Sequence, residues 1–212
     1  MLKVWVSILF GGAFLALIAV LLFLLRTRHP QDSVPATGPR QTEARPEPRD
    51  YSTSNSVSVI LGEQEAGAGI RHIASERDGL TAIGSVEGVT CRYLDFEPES
   101  KQRAVGYFYF AVDPSFKQAD IQKVTVEIEY RSDNRGSLGL DYDGSIKEKS
   151  LHAAYLHAES VNMTPSKSWQ TASFSLEDAG FQNSQNGKAD FRLWVRPPSL
   201  YVRRVTLTKE PK

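Results

Sequence analysis

One cysteine, two methionines and no net charge set the first limits on this 212-residue chain. Cys91 is alone, so no internal disulfide can form and cysteine usage says nothing about the redox compartment. The 25 basic and 25 acidic side chains cancel, which removes the global field that would draw the protein to nucleic acid. Catalytic signatures are missing as well: there is no G-x-S-x-G, no phosphate loop ending in Gly-Lys-Ser/Thr and no H-E-x-x-H. These absences argue against an enzyme. The search for metal ligands ends the same way, because His72, His152 and His157 are scattered and positions five apart on a strand face opposite sides. No cofactor and no metal site are expected from the residues, and Cys91 reads as a small strand residue.

What the chain does have is unevenly spread. The 22-residue run Val4 to Leu25 is hydrophobic except at Ser7, Gly11 and Gly12, and the chain beyond residue 25 is only about 35% hydrophobic. As a helix at about 1.5 Å per residue, that run spans about 33 Å, enough to cross a bilayer core of about 30 Å. Residues 1–25 therefore read as a transmembrane anchor in the lipid bilayer. No small-residue cleavage site closes the run, so a removable signal peptide is the poorer reading. Ser7 with Gly11, and Gly12 with Ala16 and Ala19, place small residues on adjoining stripes where a second helix could approach. Lys3 on one side against Arg26, Arg28 and Arg40 on the other weakly favours a cytoplasmic C-terminal side. Residues 26–56, with Pro30, Pro35, Pro39, Pro46 and Pro48 and almost nothing apolar, read as a disordered linker.

From residue 57 to residue 212 the periodicity is two. Val124, Val126, Ile128 and Tyr130 alternate with Thr125, Glu127 and Glu129. Ser132 to Gly136 is expected to turn the chain into Ser137 to Tyr142, and Asp143-Gly144 to close a hairpin onto Lys149 to His157, giving a three-strand meander. Further strands are expected at Val57 to Leu61, Ile70 to Ala74, Leu80 to Val86, Val89 to Phe96, Ala104 to Val112, Trp169 to Leu176, Phe191 to Val195 and Leu200 to Thr208. Gly67-Ala68-Gly69 reads as a flexible turn. The fold class is all-β, an antiparallel sandwich in one domain.

The run W-Q-T-A-S-F-S-L-E-D-A-G-F from Trp169, N-G-K-A-D-F-R-L from Asn186 and L-Y-V-R-R-V-T-L from Leu200 join V-T-V-E-I-E-Y from Val124 and L-D-Y-D from Leu140. Together they resemble the galactose-binding-like jelly rolls used as carbohydrate-binding modules beside bacterial glycan-active enzymes. The resemblance covers most of residues 57–209. It implies a β-jelly roll, a glycan ligand, an extracytoplasmic (periplasmic) location and a structural calcium held partly by an acid in the last strand. Here that strand carries Arg203 and Arg204 where the acid would stand, and Asp141 to Ser145 reads as a hairpin turn.

Sugar binding needs aromatic faces beside acids, amides and arginines. Alternation points Trp194 away from Phe191, Leu193 and Val195, between Arg192 and Arg196, and points Trp169 away from Ala172 and Phe174. Trp169, Trp194, Tyr107, Tyr109 and Tyr142, with Arg192 and Arg196, are the candidate platform, and Arg203 and Arg204 could extend a basic face. The same residue types also suit a protein interface. Two readings stand: an accessory subunit clamped to a larger membrane complex, and a membrane-tethered glycan-binding module.

Overall fold

The computed structural model describes residues 49–74, 78–94, 105–118, 123–145, 153–197 and 199–210. The expected membrane helix, its small residues Ser7, Gly11, Gly12, Ala16 and Ala19, the linker as far as residue 48, and His152 all lie outside the described residues. Among those described, no helix is long and apolar enough to cross a membrane.

The described residues are all-β, with thirteen strands among them in chain order: β1 (Ser56–Ile60), β2 (Ala66–Ala68), β3 (Ile70–Ile73), β4 (Ala82–Val86), β5 (Val89–Tyr93), β6 (Gly106–Val112), β7 (Val124–Arg131), β8 (Gly136–Tyr142), β9 (Leu156–His157), β10 (Val161–Met163), β11 (Gln170–Leu176), β12 (Phe191–Arg196) and β13 (Tyr201–Lys209). They form two sheets whose strand pairs are all antiparallel. The seven-stranded sheet runs β11-β7-β13-β1-β2, with β5 pairing β13 and β4 pairing β5. The six-stranded sheet runs β10-β8-β12-β6-β3, with β9 on β8.

The period-two reading explains the core. On β7, Val124, Val126, Ile128 and Tyr130 are buried, and Glu127 is exposed. On β12, Phe191, Leu193 and Val195 are buried while Arg192 and Trp194 are half-buried. These inward rows meet Phe108 and Phe110 of β6 and Leu138 and Leu140 of β8 in one cluster between the sheets. Phe110 stacks on Phe191 with ring centroids 5.1 Å apart. Tyr51, which the composition assigns to the linker, packs against this core and donates its backbone N–H to Ser115 Oγ at 2.9 Å.

Three local expectations are corrected. The meander does not form, because β7 and β8 belong to different sheets. The connection between them instead crosses the sandwich, and the buried Ser132 hydroxyl ties it by donating to Asn134 O at 2.9 Å. The two inward faces thus look at each other across the core rather than lying side by side. The second half of the meander does pair as expected, β8 antiparallel with β9, but Asp143-Gly144 is not its tip: Gly144 N donates to Ala153 O at 2.7 Å, so pairing between the arms continues past it. Gly67-Ala68 is no free turn, since Ala66–Ala68 is a strand paired with β1, and a Cβ on Gly67 would stand 2.6 Å from Ile70 O.

Candidate functional site

The outward face of the six-stranded sheet gathers most of the candidate residues, and the strand registers fix how. Trp194 lies opposite Tyr107 of β6 and opposite Gly139 of β8. One step along, Arg192 lies opposite Tyr109 and opposite Asp141. Asp141 in turn faces His157 of β9. Two rows of side chains therefore cross the strands on one surface.

Gly139 is what lets Trp194 lie down. A Cβ built there would overlap the indole Cε2 and Cζ2, so the ring rests on the bare backbone of β8. With the indole laid against the sheet, its half-exposed side is directed away from the protein, the arrangement that stacking on a sugar ring requires.

Beside it, Arg192 is clamped. Nε donates to Asp141 Oδ2 at 2.8 Å and Nη1 donates to the Tyr109 hydroxyl at 3.1 Å. Its guanidinium carbon also stands 4.2 Å from the Tyr107 ring centroid and 4.3 Å from that of Tyr155, a double cation–π contact. Burial pulls the Arg192 pKa down, but the bonds to Tyr109 and Asp141 outweigh it and the net direction is up. The group is a fixed cation. Asp141 is buried and bridges Arg192 to His157, whose Nδ1 lies 2.6 Å from Asp141 Oδ1 while its ring stands mostly in solvent. That leaves the His157 Nε2 edge free to meet a ligand.

Tyr109 is not a platform ring. It is fully buried under Gly79, where a Cβ would sit 2.6 Å from its ring, and packs with Ile73, Ala111 and Ala189 in a small second core on the outward side. Its hydroxyl donates to Asp78 Oδ2 at 3.0 Å and accepts from Asn186 Nδ2 at 3.4 Å. Burial first, then the Asp78 charge, pushes its pKa up to about 12 against the opposing pull of Arg192. Tyr142 is also removed from the platform, since it faces inward with Leu138 and Leu140. Trp169 precedes β11, a strand of the other sheet, and does not join the site. Arg196 shares the outward side of β12 with Trp194 and is exposed. The wider basic face does not form: Arg203 and Arg204 stand on β13 in the other sheet, and Arg203 Nη1 donates to Glu129 Oε1 at 3.0 Å.

Sequence reasoning missed Tyr155, Asp141, His157 and Asn186 as members of this site. Asp141 carried a usable signal, because Leu138, Leu140 and Tyr142 turn it outward by alternation; Tyr155 and Asn186 sit in irregular segments that periodicity cannot orient. Around the site, acids are spent on structure. Asp143 accepts from Gln182 N at 2.6 Å and Ser184 N at 3.0 Å, and the fully buried Asp190 accepts from Val112 N at 2.8 Å and faces Lys117 Nζ at 2.7 Å. Among the described residues no three metal-binding side chains cluster.

A family model described as the N-terminal glycosyl-hydrolase-114-associated domain matches residues 87–200. No curated protein matches the chain. Solved structures similar to it include a carbohydrate-binding module from Cellvibrio mixtus lichenase 5A in complex with cellotriose, at 9% identity over 73% of this chain and 97% of that one, with a TM-score of 0.40. A mutant of a family 29 carbohydrate-binding module gives 9% identity, 71% and 89% coverage and a TM-score of 0.38. An adhesin domain of Lys-gingipain from Porphyromonas gingivalis gives 11% identity, 73% and 95% coverage and a TM-score of 0.37.

Proposed function

The chain belongs to the family of N-terminal glycosyl-hydrolase-114-associated domains, and from that premise we propose that its sandwich, read as a jelly roll, is a non-catalytic carbohydrate-binding module. The glycan lies on the outward face of the six-stranded sheet. One observation carries the reading: an indole laid on Gly139 beside a clamped Arg192–Asp141–His157 relay, which pairs an apolar stacking surface with fixed donors. Stacking takes the apolar face of a pyranose, and the His157 edge and Tyr155 hydroxyl meet its hydroxyls. Arg192 and Tyr107 hold the relay in place rather than reaching outward.

The apolar run Val4 to Leu25 supports a membrane tether for this module, and the glycan reading, against the charge balance around that run, places the C-terminal side outside the cytoplasm. A module so placed keeps glycan near the membrane for a hydrolytic partner. Of the two readings that the sequence left open, the family and the site favour glycan over a clamped subunit.

The test is affinity electrophoresis of the full chain in detergent through gels holding a panel of polysaccharides. Retardation by at least one of them is expected. Trp194→Ala should weaken that binding at least about tenfold, the equivalent of about 1.4 kcal/mol, and Trp169→Ala should leave it unchanged. Retardation by none of the panel, or full binding by the Trp194→Ala chain, contradicts the proposal.

A further inference from the structure

We propose a second glycan-binding groove on the opposite, seven-stranded sheet, built on Tyr93 and Tyr201. It rests on the glycan-binding reading and adds to it a site for a short stretch of neutral, hydroxylated chain. A cavity of about 410 Å³ lies there, lined by Gly84, Ser85, Tyr93, Leu94, Ser199 and Tyr201. That volume falls within the ~300–1,000 Å³ range of small-molecule pockets.

The groove repeats the construction of the first site. Tyr93 lies opposite Tyr201 in the register of β5 on β13, and both rings stand on the outward side, because their chain neighbours Leu94, Leu200 and Val202 are buried in the core between the sheets. Their centroids are 5.8 Å apart and the planes meet at 36°, which leaves a shallow aromatic trough. Gly84 makes room for it: a Cβ there would stand 2.9 Å from Cδ1 and Cε1 of Tyr93, so this ring also rests on a bare strand backbone. Unlike the buried Tyr109 under Gly79, the rings on Gly84 and Gly139 keep part of their surface in solvent, where a ligand can meet them.

The polar half of the recognition set is present as well. Ser85 and Ser199 belong to the lining. Arg131 lies opposite Tyr201 in the register of β7 on β13. Its side chain is 12% exposed, and its Nε and Nη1 find no hydrogen-bond acceptor although Nη1 stands 3.1 Å from Glu87 Oε1. Both atoms are closed off from solvent, so Arg131 shapes the end of the aromatic row rather than meeting the ligand. Glu87 and Asp133 already balance the guanidinium charge, which is why the trough suits a neutral hydroxylated ring rather than an acidic one.

Titrating the full chain, with tyrosine rings isotopically labelled, against an oligosaccharide of whichever glycan binds in the gel panel tests this by NMR. The Tyr93 and Tyr201 ring signals should shift in the native chain and still shift in Trp194→Ala, with stoichiometry falling from two to one. Tyr201→Ala should remove the event that survives in Trp194→Ala, and the native-chain shifts keep the test decisive if that variant does not fold. A stoichiometry of one in the native chain, with silent Tyr93 and Tyr201 and all binding lost in Trp194→Ala, overturns the second groove and leaves the first site standing. A chain that binds no glycan overturns both.

Discussion

At the scale of single residues, glycine decides where aromatic rings can work. Trp194 lies flat because Gly139 has no Cβ, and the backbone there needs no left-handed conformation that would itself demand glycine. The requirement is space alone. Gly139→Val should therefore keep the strand, since a β-branched residue suits it, but lift the indole at an overpacking cost of about 1–3 kcal/mol. The measurement is a thermal melt beside glycan affinity: affinity should collapse toward that of Trp194→Ala while the melt shifts modestly. Intact binding would show that the flat indole is not what the glycan uses. Trp194 itself was legible in the sequence, because alternation against Phe191, Leu193 and Val195 turns it outward. The same rule misled at Tyr109, which faces outward yet lies beneath the segments bearing Gly79 and Ala189.

Elements show a different division. The strongly alternating strands, β7, β11 and β12, lie within a residue of their expected ends. The short ones, β2 and β10 at three residues each, carry too few positions for a period to register. Partners were harder to read than strands. The turn residues Ser132 to Gly136 suit a hairpin and a sheet-to-sheet crossing equally, and only the pairing of β7 with β11 and β13 decides. The segment from Phe181 to Ala189 is a further case. Phe181, Asn183 and Lys188 adopt positive φ, which costs free energy for non-glycine residues, and Asp143 and Asp190 hold amides of this segment in compensation. Burial raises the Asp190 pKa despite Lys117, so its charge is costly to keep in place. Asp190→Asn leaves the Lys117 ammonium unpaired and places an amide donor against backbone N–H groups. It should destabilise the domain by about 3 kcal/mol and expose 181–189 to proteolysis, read by a denaturant melt and timed digestion.

At the scale of the whole molecule, an ionisable contact joins the sheets. Glu65 bonds Arg92 of the seven-stranded sheet and approaches His72 of the six-stranded sheet at 3.4 Å. His72 packs against Phe108 and Phe110, and neither of its ring nitrogens has a hydrogen-bond partner. Burial is the largest influence on His72 and holds its pKa below the ordinary 6.5, with Glu65 opposing. Because the unfolded chain takes up that proton more readily than the folded one, stability falls as pH drops below about 6.5. Melting temperatures between pH 7.5 and 5.5 should fall for the native chain and fall less for His72→Gln. Equal slopes would show that His72 does not set this pH dependence. The two-sheet architecture was legible from period-two patterning, whereas this bridge depends on loop placement that no local pattern encodes.

The central claim is that glycan stacks on Trp194. The most direct measurement is NMR of the full chain with labelled indole N–H groups, titrated with the polysaccharide panel. Stacking at this ring predicts that the Trp194 Nε1–H signal shifts saturably with at least one glycan while the Trp169 signal stays fixed. A Trp194 signal unmoved by a glycan that the chain demonstrably binds would contradict it.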